Sequence, residues 1–286
     1  MEALVPGTEI DADGLQLPGA SAGTRMRIDQ RIGDLPHGDA YRGWMDGAPV
    51  LVTYLDPALA AQADVRGWLL RAIQRASTVE HRSLLPQYGA LAHERRCLLV
   101  QGNPGGQSAR QLLIDRAAKG RTVDGETAQT IVGHVCNALA ALHAVMVHGY
   151  VNADAVWIST SGRVSLAEPA IGSLLTRTRR FERMRSAGRL GNVAPEQLLA
   201  GGQLTVGTDV FGAASLLVEL LTGRALREAG MPLEEVGIFG PPDLMMCLER
   251  ATAPDLGARP PDVLTFKAEL AEALAGGGPI DIGAPR

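Results

Sequence analysis

A helix-length segment at residues 208–223, TDVFGAASLLVELLTG, limits the possible folds of this chain more than any other. It is apolar nearly all round, which is typical of a helix buried at the centre of a domain. Other helical patterns flank it, and the longest places Ile131, Leu139 and Leu142 on one face. The second half of the chain is therefore predicted to be mainly helical.

Strands predominate earlier in the chain. RIDQRIG, DAYRGWM and PVLVTYL are short β-type runs, and the Asp46-Gly47 pair before the third is typical of a hairpin turn. One helical pattern and two further strands follow. A small antiparallel sheet that carries one helix is expected here, so the fold class is α+β.

Five segments are expected from the positions of the periodic patterns and of the glycine-rich GNPGG stretch. In chain order they are a flexible leader at 1–26, a strand-rich unit at 27–101, a hinge at 102–106, a helical unit at 107–275 and a flexible tail at 276–286.

Composition excludes some classes of function. The net charge is −4 and the pI about 5.9, which argues against a general nucleic-acid binder or a binder of anionic membranes. Of the 27 basic residues, only Lys119 and Lys267 are lysines. No apolar run is long enough to span a bilayer, and the N-terminal residues do not resemble a signal peptide.

The cysteines indicate a reducing compartment. Cys97, Cys136 and Cys247 are far apart, odd in number, and not spaced for a metal site. A cytoplasmic protein is expected, since disulfide bonds are rare there.

The order of motifs resembles the protein kinase fold, a two-lobed structure, and is most similar to the bacterial serine/threonine kinases of eukaryotic type. The similarity extends from about residue 27 to 275. The motifs that carry it are IGDLPHGDAYRG, PVLVTYLDP, EHRSLLPQYG, HGYVNADAVWI, VSLAEPA, NVAPEQLL, TDVFGAASLLVELLTGRAL and APDLGARPP.

In that family, phosphoryl transfer needs a backbone cradle for the phosphates, a cation beside them, metal ions and a base. The glycine-rich loop keeps Gly33 and Gly38 here but has Leu35 at the middle position. The lysine of the third strand corresponds to Thr53. Its glutamate partner corresponds to Ala72, or to Gln74 if the alignment shifts. Residues 1–118 contain no lysine to replace it, and an arginine such as Arg31 or Arg71 is a poor substitute.

The catalytic loop departs from the family as well. The resemblance places Tyr150 at the base position, Asn152 at the loop lysine and Ala155 at the metal-binding asparagine. The metal-binding Asp-Phe-Gly turn corresponds to Glu168-Pro169-Ala170. A tyrosine is a weak base at neutral pH, and alanine offers no ligand.

Positions with structural roles in the family are retained. His148 and Asp209 are expected to hold the catalytic loop against the central helix. Glu196 and Arg259 are expected to form a buried ion pair.

The resemblance therefore implies a pseudokinase, without catalytic residues, cofactor or metal. It would act as a regulator or scaffold by binding an active kinase, a phosphopeptide-reading domain or a larger assembly. Two alternatives remain open: a nucleotide sensor without turnover, and a divergent active kinase that uses Glu168 and Asp154 for metal.

An arginine-rich segment at residues 176–189 occupies the position of the activation segment. It is either a solvated loop or a docking surface for an acidic or phosphorylated partner. Thr176, Thr178 and Ser186 are candidate phosphorylation sites. The candidate partner-binding residues are Arg177, Arg179, Arg180, Arg183, Arg185 and Arg189.

Overall fold

The computed structural model describes residues 3–15, 23–60, 63–93, 96–186, 188, 190–276 and 280–283. The chain divides into two compact units, Met1–Pro104 and Gly105–Arg286. The boundary between them falls within the segment predicted as a hinge. The predicted α+β class is confirmed: the first unit is an antiparallel sheet with helices, and the second is mainly helical.

The first unit contains a six-stranded sheet with the order β1-β2-β3-β4-β6-β5, in which all neighbours are antiparallel. A short helix α1 (Pro57–Ala60) precedes the predicted helix α2 (Ala63–Ala76). The strands are β1 (Glu9–Asp11), β2 (Arg25–Leu35), β3 (Gly38–Met45), β4 (Ala48–Leu55), β5 (Gln87–His93) and β6 (Arg96–Gly102).

Apolar residues from the strands of this sheet form one core cluster, and strands β4 and β6 are buried along nearly all of their length. Ile28, Tyr41, Val52 and Leu98 come from four different strands and belong to one core cluster. The predicted turn joins β3 to β4 with positive φ at both Asp46 and Gly47, as a type I′ hairpin requires.

The prediction of a flexible leader at residues 1–26 differs from the structure at residues 9–15 and at residues 25–26, where strand β2 already begins. Strand β1 pairs with β2 in that segment, and Ile10, Ala12 and Leu15 belong to the core cluster. The strand is only three residues long, too short to produce a visible period. Residues 1–2 and 16–22 of the predicted leader lie outside the described part of the chain.

The second unit contains a small sheet, β7-β8-β9, and a series of helices. Its strands are β7 (Gln107–Ser108), β8 (Val156–Ile158), β9 (Val164–Leu166), β10 (Ile238–Phe239) and β11 (Asp281–Ile282). Its helices are α3 (Ala109–Ala117), α4 (Gly125–Leu142), α5 (Ile171–Thr178), α6 (Glu182–Ser186), α7 (Pro195–Leu198), α8 (Val206–Thr222), α9 (Pro242–Ala251) and α10 (Val263–Ala275), with 3-10 turns at Leu190–Asn192, Leu233–Val236 and Leu256–Ala258.

Helix α8 is the central helix that the sequence predicts. All of its residues from Thr208 to Thr222 are buried, and α4, α9 and α10 pack against it. Among the described residues, no helix is both long enough and apolar enough to cross a bilayer.

The prediction of an unstructured tail is also wrong in part. Strand β11 pairs with β10 through Ile282 and Ile238, and the Gly283 amide donates to the Gly237 carbonyl at 2.9 Å. Residues 277–279 and 284–286 of the predicted tail are not among the described residues.

Candidate functional site

The segment that resembles the phosphate loop is a closed hairpin. Strands β2 and β3 remain paired up to Leu35 and Gly38, so only Pro36 and His37 form the turn. The His37 carbonyl accepts from the Asp56 amide at 2.8 Å, which fixes the turn to the end of β4. Pro36 has no N–H group, so this turn presents fewer main-chain donors to a phosphate than a glycine-rich turn would.

Two carboxylates occupy the tip of this hairpin. Arg31 donates to Asp34 and, at 2.8 Å, to Asp39. Arg96 donates to the other Asp39 oxygen at 3.0 Å, and to the carbonyls of Tyr54 and Leu55 at 2.7 Å each. Burial raises the pKa of Asp39, but the hydrogen bonds from Arg31 and Arg96 outweigh it and the pKa is lowered. Asp39 is therefore ionised at neutral pH and would repel a phosphate.

Gly38 has a packing role that is independent of nucleotide. A Cβ atom at this position would lie 2.3 Å from the Tyr54 carbonyl oxygen. Strand β3 can approach β4 at this point only because residue 38 has no side chain. The packing of β3 against β4 therefore explains why a glycine stands at position 38, with no need for a bound phosphate. A Cβ at Gly33 would meet no atom within 4 Å, so packing does not explain that glycine.

The positions of the lysine and its glutamate partner are both uncharged. Thr53 lies on β4 opposite Ala40 and Leu99 and is buried. Ala72 is fully buried on α2, whereas Gln74, the alternative, is exposed. Arg31, a candidate replacement for the lysine, is instead paired with the hairpin carboxylates.

The catalytic loop is held in the expected way. The Asp209 carboxylate on α8 accepts from the amides of His148 and Gly149 at 2.8 and 2.7 Å. The His148 ring accepts from the Tyr150 amide through Nδ1 and contacts the Ala167 carbonyl through Nε2 at 2.8 Å. These partners require the neutral Nε2–H tautomer, and burial lowers the pKa of His148, which favours the same form.

The polar side chains of this loop bind to the loop itself or to neighbouring helices. Asn152 donates to the Tyr150 carbonyl and accepts from the Asp154 and Ala155 amides. Asp154 pairs with Arg110 at 3.4 Å, and Arg110 also binds Glu219 on α8. Ala155 is fully buried and carries no ligand atom.

Glu168 is the residue with the strongest indication of function. It is buried with φ +61°, a left-handed conformation that is uncommon for a residue with a side chain. Its carbonyl accepts from the Ile171 amide where α5 begins. Among the described residues, no group of three or more His, Cys, Asp or Glu side chains could hold a metal ion.

Helix α5 lies directly on the catalytic loop. Gly172 of α5 packs against the backbone of Gly149. The Gln197 amide on α7 donates to the Gly149 carbonyl at 3.0 Å and to the Thr176 hydroxyl at 3.1 Å. One buried side chain thus joins the loop, α5 and α7.

The predicted ion pair in the helical unit is present. Arg259 donates to both carboxylate oxygens of Glu196, at 2.9 and 3.0 Å, and Thr208 adds a third bond at 2.8 Å. Burial raises the pKa of Glu196, but the hydrogen bonds from Arg259 outweigh this effect and lower it overall.

Five of the six candidate partner-binding arginines are exposed in the structure, and Arg189 lies outside the described residues. The three candidate phosphorylation sites are bonded within their own helices. Thr176, Thr178 and Ser186 donate to the carbonyls of Gly172, Leu174 and Glu182.

Sequence reasoning missed Arg96, Arg110 and Gln197. Their partners described above lie 21 to 109 positions away along the chain. No local pattern marks such contacts, so only the folded structure identifies them.

Comparison with known proteins agrees with this architecture. The profile described as "Protein tyrosine and serine/threonine kinase" matches residues 26–238. The crystal structure of the Mycobacterium tuberculosis PknI kinase domain is 22% identical, with a TM-score of 0.71 over 95% of this chain and 100% of that one. At this identity the likeness shows the fold alone.

Curated relatives include plant kinases. Cold-responsive protein kinase 1 of Arabidopsis thaliana is 24% identical over 213 residues, which cover 72% of this chain and 54% of that protein. Cysteine-rich receptor-like protein kinase 2, also of Arabidopsis thaliana, is 27% identical over 156 residues, or 53% of this chain and 24% of that protein. The chain thus spans a quarter to a half of these relatives' lengths.

Proposed function

The chain belongs to the protein tyrosine and serine/threonine kinase family, and we propose that within it the protein is a pseudokinase. It would act as a regulator or scaffold by binding other proteins, without transferring phosphate. Its placement among the bacterial serine/threonine kinases of eukaryotic type, and in the cytoplasm, belongs to the same proposal. The three free, buried cysteines are consistent with that compartment.

The acidic tip of the β2–β3 hairpin is the observation that carries this proposal. In an active kinase the corresponding loop covers the phosphates of ATP. Here its tip carries Asp39, which Arg31 and Arg96 hold in place. A phosphate bound at this tip would have to approach the ionised Asp39 carboxylate.

The catalytic loop supports the same conclusion. Tyr150 cannot accept a proton readily at neutral pH, and Ala155 cannot bind magnesium. The first 118 residues contain no lysine to neutralise a nucleotide phosphate. The bonds of His148 and Asp209, by contrast, stabilise the loop backbone. The residues that hold the loop backbone are thus present, whereas the residues that would carry out phosphate transfer are absent.

An active divergent kinase, or a nucleotide sensor, is the second candidate. Glu168 favours it, because a buried carboxylate on a left-handed backbone is a common feature of functional sites. The curated relatives, which are named as kinases, favour it too. Asp154, the other candidate metal ligand, supports the second candidate less strongly, because its carboxylate pairs with Arg110.

A phosphorylation assay tests the proposal. Purified protein is incubated with ATP, magnesium and a generic substrate, and phosphate incorporation is compared with that of Glu168→Ala. We expect incorporation at background level for both proteins. Incorporation by the wild type that Glu168→Ala abolishes would establish the second candidate instead.

A further inference from the structure

The arginine surface consists of Arg177, Arg179, Arg180, Arg183 and Arg185, all of which are exposed. It spans the end of α5, a break at Arg179 and the short helix α6. At the break, Arg179 adopts φ +55°, and its guanidinium donates to the Leu198 carbonyl at 3.2 Å.

Apolar anchors fix this surface to the helical unit. Leu174 and Leu175 of α5 are buried, as are Phe181 and Met184 around α6. A solvated loop would not bury four large apolar side chains within eleven residues. The backbone is therefore held, and the arginines project from a preorganised support. Such a support lowers the entropy cost of binding a partner.

The charge of the segment is opposite to that of the chain. Residues 176–189 contain six arginines and one glutamate, a net charge of +5, whereas the whole chain carries −4. The remaining residues thus carry −9. This local excess of positive charge favours an anionic partner.

Two exposed apolar residues adjoin the arginines. Leu198 and Leu199 have 37% and 63% of their surface accessible, and the hydrogen bond from Arg179 to the Leu198 carbonyl places them near that arginine. Exposed leucines next to arginines favour a ligand that has both an apolar side chain and negative charges.

We propose that the arginine surface, with Leu198 and Leu199, binds an acidic, Asp- and Glu-rich peptide segment of a partner protein that carries a leucine-sized apolar residue. The arginines are distributed along nine residues and two helices. That arrangement suits several carboxylates in a row better than a single phosphate, which needs guanidinium groups that converge on one point. The inference rests on the proposed function, because it identifies the class of partner through which a pseudokinase would act.

The test measures binding of a fluorescein-labelled, Asp- and Glu-rich twelve-residue peptide with one central leucine to the full chain, by fluorescence anisotropy without nucleotide. The variant carries Arg180→Glu and Arg185→Glu. Its matched control carries Arg71→Glu and Arg75→Glu, two exposed positions of α2 in the other unit. Both variants change the charge by the same amount.

We expect the Arg180 and Arg185 variant to lose at least tenfold in affinity and the control to lose less than twofold. Affinity should fall as salt rises, and Leu199→Ser should weaken binding further. Equal binding by the surface variant and the wild type would overturn the inference. So would tighter binding of a singly phosphorylated, otherwise neutral peptide, or a dimer of the chain that only the surface variant disrupts.

The two proposals fail in different ways. Absence of peptide binding, with phosphorylation at background, would remove the acidic partner and leave the pseudokinase proposal intact. Phosphorylation of a bound acidic peptide that contains serine would remove the pseudokinase proposal and leave the surface as a substrate site.

Discussion

Gly172 of α5 and Gly149 of the catalytic loop meet backbone to backbone, so that a Cβ atom at position 172 would lie 2.3 Å from the Gly149 carbonyl oxygen. No side-chain rotation can relieve that contact. The absence of a side chain at residue 172 is what allows α5 to rest on the loop. Gln197, which bonds to both elements, completes the attachment.

Gly172→Ala should therefore destabilise the protein by about 1–3 kcal/mol, because an added methyl group forces the backbone apart. Urea unfolding measures the change. The control is Gly133→Ala in α4, where a Cβ would meet only the flexible Lys267 side chain at 3.8 Å. That change should be neutral or slightly stabilising, because alanine favours helix. Equal effects at the two positions would contradict the packing.

The Glu196–Arg259 pair should be essential to the stability of the helical unit. Arg259→Leu leaves the partly buried Glu196 carboxylate, whose side chain is 14% exposed, without its cation and should cost at most about 3–5 kcal/mol. Arg250→Leu, which removes an exposed pair with Glu269 at 3.3 Å, should cost less than about 1 kcal/mol. Similar losses of stability for Arg259→Leu and Arg250→Leu, measured by thermal or urea unfolding, would show that the Glu196–Arg259 pair contributes no more than an exposed pair.

Acid should remove the contribution of that pair. The folded pKa of Glu196 lies below its ordinary value of 4.5, so the unfolded chain binds the proton more readily. Stability from Glu196 is therefore complete above pH 4.5 and is lost as the pH falls through the lower folded value. Urea unfolding of wild type and Glu196→Gln should differ most at pH 7 and converge below pH 4.5. A constant difference across that range would be inconsistent with this linkage.

The thiols should be unreactive in the native protein. Burial raises the pKa of Cys97 and Cys247 to about 11 and that of Cys136 to about 12. The reactive thiolate is thus scarce at pH 8, and all three cysteines are buried. The reagent DTNB should label no cysteine in buffer and three in urea. Rapid native labelling of any thiol would indicate local opening of its helix or strand.

Features that depend on neighbouring residues could be predicted from the sequence. The all-apolar stretch of α8 and the Asp46-Gly47 turn are local patterns, and both are present in the fold. Strand β1 was missed because three residues carry no readable period. In the candidate site, individual residues could be predicted where a sequence motif aligned with the family, as it did for His148 and Asp209. The bonds of Arg96 and Gln197 join distant segments and depend on the folded geometry.

Nucleotide binding is the most direct test of the claim that the acidic hairpin tip does not bind phosphate. Thermal unfolding is followed with millimolar ATP, with and without magnesium, and ADP as a further ligand. A nucleotide present at a hundred times its Kd would stabilise the protein by about 2.7 kcal/mol. For a chain of this size that corresponds to a rise in Tm of roughly 5 °C or more. We predict no rise with any of these ligands. A magnesium-dependent rise of that size, lost in Glu168→Ala, would show that the site still binds nucleotide and would contradict the account.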